Sequence, residues 1–513
     1  MIQYFKNIFA ALDNKINPIA VKEMRQAVRS RYITLLLQLY LLVELLITGF
    51  FFLAFDTNNL TTGGSELFIP LIFLLFIANL VCVPVYTSNR LAREVRDNDA
   101  MFSTTLTPMQ IVRGKFLCGL IISLLLFSAA APFVILTYLL RGLDISQILS
   151  MLYWTFLTIQ VLNCYGIVFG ALNINNVLRA IIGCIMGFAI IGVLESLPYS
   201  FSILSTVGSM NWEEFFIVTL VLLFLGESFI MLAACLLSPI SFNRMTRPRI
   251  FATASSLSLM IIALIYNCFT TSDDYIETAI AFSFFISLVF LGIGLCERTK
   301  LSVRQIQQIP RNSIMRSLAF PFFTGVGSAV AWFLIMFSIT LVYDVAFNQG
   351  DLLDSFLSMD FPFPFLCMIL FYSTCGMFIR IGIDQWRREH QSQRHPDNPR
   401  IIIYPSPQKG IATVAYTFFL IAFPSLIPLM FVFSQGSDIR DTLFCFSPFN
   451  YMDSYNSNNV FIPVFFGIVS AGVLTIYSLI SFVNYCKSSP PKISSFYDRE
   501  DYKTSTTDKQ QAS

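Results

Sequence analysis

Charge is what this sequence has least of. Lys, Arg, Asp and Glu make up only 12% of its 513 residues, whereas they make up roughly 25% of an average chain. No polar stretch is longer than about thirty residues, which is far too short for a catalytic domain with a core of its own. These shortages exclude a soluble protein of ordinary composition.

Residues that usually carry chemistry are also scarce. The only histidines, His390 and His395, share one basic loop, and no cluster of Cys or acidic residues gives metal-ligand spacing. No G-x-x-x-x-G-K-[ST] sequence occurs, because Gly114-Lys115 is followed by Phe116. Most of the 11 cysteines lie inside apolar runs, so no disulfide framework is expected. We therefore expect no enzyme, no metal and no cofactor in this chain, and the net charge of +2 gives no indication of nucleic-acid binding.

Apolar residues are abundant instead, at 55% of the chain with 53 phenylalanines. A membrane-spanning helix needs about 20 consecutive apolar residues. The alternating pattern of barrel strands is not found. The fold class predicted is an all-α, polytopic helical membrane protein with about twelve transmembrane helices. The predicted spans are 33–55, 67–88, 116–140, 147–171, 177–195, 214–238, 251–271, 277–296, 318–343, 361–382, 410–433 and 459–485.

The distribution of positive charge predicts the orientation of these spans. If the N-terminus is cytoplasmic, all but two of the 33 basic residues fall in cytoplasmic segments, the exceptions being Arg141 and Arg440. Such a bias is the positive-inside rule. Both termini are therefore predicted to be cytoplasmic, and the basic face to meet anionic membrane lipid.

The loops favour two six-helix halves. Segments 89–115 and 297–317 join the second and third spans of each half inside, and long loops join the fifth and sixth spans outside. The predicted domains are an amphipathic interfacial helix in 1–32, halves in 33–240 and 241–485, and a polar tail in 486–513. Gly166-x-x-x-Gly170 and Gly183-x-x-x-Gly187 allow close packing of the fourth and fifth spans.

Two segments on the predicted cytoplasmic side are patterned as short amphipathic helices. In residues 17–31, Asn17-Pro18 forms a helix start and basic residues occupy the face opposite Val21, Met24 and Val28. In segment 89–115, Thr107 can cap a helix and Pro108 suits its first position, where a missing N–H costs nothing. Such a helix at a membrane surface typically receives force or a partner.

Together these two segments resemble the permease subunits of type 2 ATP-binding-cassette (ABC-2) exporters. The resemblance covers residues 17–240 and rests on the Asn-Pro-Ile-Ala-Val-Lys-Glu-Met-Arg sequence from position 17, on Thr107-Pro108 and on Gly114-Lys115. Glu94 and Asp99 fall on acidic positions of the family. The chain departs from it at Thr105, where the family has Pro, and at Arg96-Asp97, where Gly-Thr is common.

The resemblance implies a permease in a bacterial inner membrane, powered by a separate ABC ATPase subunit that binds ATP. That subunit would dock on the coupling segment 89–115. A second copy of the chain or a second permease is a further partner that stays open. The residues implied in coupling are Arg93, Glu94, Arg96, Asp97, Asp99, Thr107 and Pro108.

Two carboxylates near the middle of predicted spans leave another interpretation open. Glu44 and Glu227 would each need a partner or a proton, since a charge at the bilayer centre costs about 2.5–3.5 kcal/mol. If they met, they could share a proton or bind a polar substrate, as in an ion-coupled secondary transporter; the alternative is that each is protonated and bonded to a neighbouring helix. A non-transporting membrane scaffold is the third interpretation.

Overall fold

The computed structural model describes most of the chain as helices. The described residues are 18–54, 63–96, 107–140, 143–172, 212–239, 242–269, 274–295, 297, 303–347, 374–375, 378–379, 381–382 and 461–487. Within these ranges there is no β-strand. The all-α class predicted from the sequence is therefore confirmed for this part of the chain.

The helices are labelled in chain order. They are α1 (Pro18–Val28), α2 (Arg31–Ala54), α3 (Gly63–Arg96), α4 (Pro108–Leu139), α5 (Ile145–Ala171), α6 (Trp212–Leu237), α7 (Thr246–Phe269), α8 (Asp274–Leu295), α9 (Val303–Gln307), α10 (Ser313–Ala319), α11 (Val326–Phe347) and α12 (Phe461–Lys487), with a 3-10 turn at Phe320–Phe322. In the described part of the chain, nine of them are long and apolar enough to cross a membrane, namely α2 to α8, α11 and α12. The chain is thus a multi-pass membrane protein by the length and composition of its helices.

These nine helices coincide with nine of the twelve predicted spans. Of the other three, 177–195 and 410–433 lie outside the described residues, and of 361–382 only six residues are described. The total of twelve, and with it the side on which each terminus lies, stays a prediction.

The chain folds into two compact units. The first comprises described residues up to Ser238 together with Ala254–Phe269, and the second comprises Pro239–Thr253 and the described residues from 274 onward. Helix α7 therefore contributes its first third to the second unit and its remainder to the first. Whether each predicted half holds six spans stays a prediction.

In the first unit α3 is the central helix. It packs against α2, α4 and α5, and α5 packs in turn against α6. The core is formed by large apolar side chains from α2 to α5, including Tyr40, Phe68, Leu75, Leu126 and Met151. The opposite face of α2 exposes leucines and phenylalanines, as expected of a helix at the lipid boundary.

The contact between α3 and α5 is close because α5 carries glycines there. A Cβ at Gly166 would lie 2.9 Å from the Pro84 Cα, and a Cβ at Gly170 would lie 2.6 Å from the Ser88 backbone oxygen. The first G-x-x-x-G motif thus packs the fourth span against the second span. The second motif, 183–187, lies outside the described residues.

In the second unit α11 packs between α8 and α12. Leu291, Val330, Phe333 and Leu474 form the apolar core between them. Trp332 is buried against Phe290, and its indole N–H donates to Thr253 Oγ1 at 3.2 Å. The polar atom of this large side chain is therefore satisfied by the first turns of α7.

Candidate functional site

Four charged side chains meet where α1, the end of α3 and the start of α4 come together. Lys115 Nζ lies 2.8 Å from Glu23 Oε1 and 2.8 Å from Glu94 Oε2. Lys22 Nζ lies 3.6 Å from the other oxygen of Glu94. We call Lys22, Glu23, Glu94 and Lys115 the first ionic cluster; it holds two positive and two negative charges.

Burial divides this cluster into an inner and an outer pair. The side chains of Lys115 and Glu23 are 1% and 2% exposed, whereas those of Lys22 and Glu94 are 60% and 30% exposed. Buried ions are expensive to desolvate, and the pair survives only because each charge has its partner. Separating Lys115 from Glu23 would therefore leave an uncompensated buried charge, while separating Lys22 from Glu94 would cost little.

The sequence of α1 explains why Glu23 faces inward. Its buried face is formed by Ala20, Glu23 and Ala27, and the two alanines allow α1 to approach α4 closely. Val28, which the amphipathic pattern places on the apolar face, is exposed. The packing face of α1 is thus centred on an acid between small residues rather than on the valine stripe.

The beginning of α4 is fixed by a capping box. The backbone N–H of Gln110 donates to Thr107 Oγ1 at 3.4 Å, and the Thr107 N–H donates to Gln110 Oε1 at 2.9 Å. Pro108 is the first helical residue. The predicted cap is confirmed, and α4 starts two turns before Lys115.

The coupling segment is described at its two ends only. Arg96 is the last residue of α3 and Thr107 caps α4, so Asp97 and Asp99 lie outside the described residues. Arg93 is exposed near the end of α3. Glu94 joins Lys115 and Lys22 of the same chain, and its role in docking stays a prediction.

The two acids of the predicted intramembrane site have different partners. Glu227 Oε1 on α6 lies 3.1 Å from Arg113 Nη2 on α4, and both side chains are partly exposed. Glu44 is fully buried and accepts a hydrogen bond from the Tyr40 hydroxyl on its own helix. The structure thus gives each acid a partner, Arg113 and Tyr40 respectively, and neither partner is the other acid.

The other carboxylate oxygen of Glu44, Oε2, has no hydrogen-bond partner within the described residues.

Sequence reasoning missed Glu23, Lys115 as a buried ion, and Arg113 as the partner of Glu227. Glu23 carried a signal, since it is the only acid in an otherwise basic α1. The pairing of Arg113 with Glu227 spans 114 positions, and no local pattern indicates such a contact.

The second unit contains a comparable arrangement. Glu297, which follows the end of α8, lies with Oε1 3.1 Å from Arg244 Nε and accepts the Gly325 N–H at 2.6 Å through Oε2. We call Arg244, Glu297 and Gly325 the second ionic cluster. Gly325 has a φ of 141°, which side chains with a Cβ rarely adopt.

Further polar contacts surround this second cluster. Arg249 is fully buried and donates to the backbone oxygens of Pro321 and Phe323 at 2.8 Å and 2.6 Å. Gln305 Nε2 donates to the Phe242 oxygen at 3.0 Å and to Thr324 Oγ1 at 2.9 Å. Side chains of α7, of α9 and of the loop before α11 therefore fix the segment that leads into α11.

The two clusters share one design. In each, a glutamate at the end of one spanning helix (Glu94 or Glu297) is bound to the start of the next described spanning helix (α4 or α11). In each, a basic residue from a segment that precedes a spanning helix (Lys22 or Arg244) binds the same glutamate. Each arrangement ties three helix ends together.

No group of three or more His, Cys, Asp or Glu side chains among the described residues is placed to hold a metal ion. No protein-family model, curated protein or solved structure matches this chain.

Proposed function

We propose that this chain is the membrane-spanning permease subunit of an ATP-driven exporter of the ABC-2 class. A separate ATPase subunit would dock on segment 89–115 at the cytoplasmic face of a bacterial inner membrane, with both termini of the chain in the cytoplasm. ATP binding and hydrolysis by that partner would switch the helical bundle between inward and outward access.

The observation that supports this proposal best is the first ionic cluster. Its members Glu94 and Lys115 stand on either side of residues 97–106, and Lys115 also holds α1 through Glu23. A push on the coupling segment would move the end of α3, the start of α4 and α1 as one body, because the buried charges cannot separate without a large penalty. This is what a receiver of mechanical force requires.

Purification of the full chain from its native membrane tests the proposal. We expect a stoichiometric ATPase subunit in the complex and ATP hydrolysis that depends on the permease. Arg93→Glu reverses an exposed charge within the segment without removing a member of the cluster, and we expect it to weaken the association. Arg247→Glu reverses an exposed charge at the start of α7 and serves as the matched control. Purification without any ATPase, with normal insertion, would contradict the proposal.

An ion-coupled secondary transporter is the second candidate. Its support is Glu44, a fully buried acid whose Oε2 lacks a partner within the described residues. A residue of this kind could carry a proton across the bundle. Flux that depends on a proton gradient and persists without ATP would favour this candidate. A chain that neither associates with an ATPase nor shows flux dependent on a proton gradient would be a non-transporting membrane scaffold.

A further inference from the structure

Helix α10, a short helix between two spanning helices of the second unit, presents an apolar face that no other described residues cover. Ile314, Met315 and Leu318 are 77%, 58% and 64% exposed, and none of the seven residues of α10 is buried. At helical spacing these three side chains lie on one side of the helix. A continuous apolar face of this kind indicates an interaction surface.

The other side of α10 is fixed to the end of α12. Arg316 donates through Nη1 to the Cys486 backbone oxygen at 3.0 Å and through Nε to the Pro310 oxygen at 3.2 Å. Phe320, which follows the helix, packs against Phe482 and Tyr485 at ring-centroid distances of 5.2 Å. The orientation of α10 is therefore set by its anchored side, and the apolar face points away from it.

The position of α10 relative to α12 indicates what covers that face. Leu479, Ile480 and Val483 are exposed apolar residues on α12, so the lipid-facing surface of this helix reaches Val483. Cys486, whose backbone oxygen accepts the hydrogen bond from Arg316, lies three residues after Val483, and Lys487 is the last residue of the helix. Helix α10 thus lies at the level where the lipid-facing surface ends and water begins.

Charge around α10 favours a lipid surface over a protein. Residues 303–322 contain Arg304, Arg311 and Arg316 and no acid. Arg304 and Arg311 are exposed, and Lys487 at the nearby end of α12 is basic as well. Anionic headgroups attract such residues, while apolar side chains enter the boundary between headgroups and acyl chains.

We infer that α10 is an interfacial membrane anchor, with Ile314, Met315 and Leu318 in the headgroup boundary of one leaflet and Arg311 on anionic lipid. The anchor would hold the start of α11 at a fixed depth. This inference stands apart from the proposed transport function, because it concerns lipid contact and does not require an ATPase.

Photocrosslinking in the full-length protein tests the inference directly. Benzoylphenylalanine is incorporated singly at positions 314, 315 and 318, and the protein is irradiated in nanodiscs that contain a clickable phospholipid. We expect lipid adducts at all three positions. Position 479 on the lipid-facing side of α12 is the positive control, and position 313, an exposed polar site on another side of α10, is expected to lose the adduct.

Three results would overturn the inference. These are adducts with polypeptide at 314, 315 and 318, the lack of any adduct there while position 479 reacts, and equal lipid labelling at 313. Only variants that elute as a single species are compared. If the variant at one of the three positions misfolds, the other two positions still test the inference. For the charge component, Arg311→Gln in the position-318 variant should lower the yield in anionic nanodiscs by up to about fivefold. Equal yields in anionic and zwitterionic nanodiscs would show that Arg311 does not bind anionic lipid.

Discussion

At the scale of single residues, Lys115 is the side chain on which most depends. Among the described ion pairs, it is the cation that binds the buried Glu23. We expect Lys115→Met to lower the free energy of unfolding by about 3–5 kcal/mol, because it leaves a buried carboxylate without a counter-charge. Circular dichroism during SDS titration of the detergent-solubilised protein measures the change.

Two companion variants separate this ion pair from a general packing defect. Glu23→Leu in the Lys115→Met background removes both inner charges, and we expect it to recover part of the lost stability. Lys22→Met removes the outer, mostly exposed cation and should change stability by less than about 1 kcal/mol. A double variant that is less stable than Lys115→Met alone would contradict the assigned pair.

Glu44 distinguishes the two transport mechanisms. Glu44→Gln keeps an acceptor for the Tyr40 hydroxyl and the shape of a protonated acid, so ATP hydrolysis by the complex and ATP-driven transport should be retained. Glu44→Leu removes that acceptor, and we expect a loss of about 1–3 kcal/mol in stability. Under the proton-coupled mechanism Glu44→Gln would instead abolish gradient-driven flux in proteoliposomes while expression stays normal, and that result would displace the ATP-driven proposal.

The two acids also show how far residue-level prediction reaches. The apolar runs around Glu44 and Glu227 predicted that each would need a partner or a proton. Tyr40 stands one helical turn from Glu44, so that partner could have been found by helical spacing. Arg113 and Glu227 meet only because α4 and α6 pack together, and sequence spacing contains no information about which helices become neighbours.

At the scale of elements, the glycines of α5 bring this helix close to α3. We expect Gly170→Ala to destabilise the first unit by about 1–3 kcal/mol, because its Cβ would lie 2.6 Å from the Ser88 oxygen and force the helices apart. The loss should show as a lower free energy of unfolding in detergent, together with a reduced yield of monodisperse protein.

Gly49→Ala is the matched control for this substitution. It lies within the spanning helix α2 and no heavy atom lies within 4 Å of the position that its Cβ would occupy. Alanine there should be neutral or slightly stabilising, by up to about 1 kcal/mol, because it restricts the unfolded chain. Equal effects of the two substitutions would show that the α3–α5 contact is not tight.

The sequence did not identify the helix that packs against the glycines of α5. Gly166-x-x-x-Gly170 predicted a close contact of the fourth span, but the motif describes only one side of an interface. Pro84 and Ser88 form the other side, and they follow no comparable pattern. The start of α4 was easier, because a capping box lies within four residues and depends on local chemistry alone.

At the scale of the whole molecule, length and hydropathy decide most of the architecture. Nine predicted spans are helices of spanning length in the described part of the chain, since a bilayer demands about 20 apolar residues in a row whatever their neighbours. The assignment of most of α7 to the first unit and the two ionic clusters were not predictable, because they depend on contacts between helices distant in sequence.

The orientation of the chain in the membrane follows from parity. Each additional span moves every later loop to the opposite side, so positions 351 and 395 test whether an odd and an even number of spans, respectively, precede them. Twelve spans place position 351 outside and position 395 inside. Asp351→Cys should therefore react with a membrane-impermeant maleimide in intact cells, and His395→Cys only after permeabilisation.

The native thiols have to be removed for this experiment. Cys82, Cys118, Cys164 and Cys235 are buried, so their replacement by alanine takes small side chains out of the core, and unfolding of the cysteine-free background is checked first. Lys487→Cys at the end of α12 should remain protected in intact cells, because an even number of spans returns the chain to the side of its N-terminus. Labelling of position 395 from outside, or protection of position 351, would mean that a span is missing or added before those positions. The distribution of basic residues would then no longer predict the orientation of the chain.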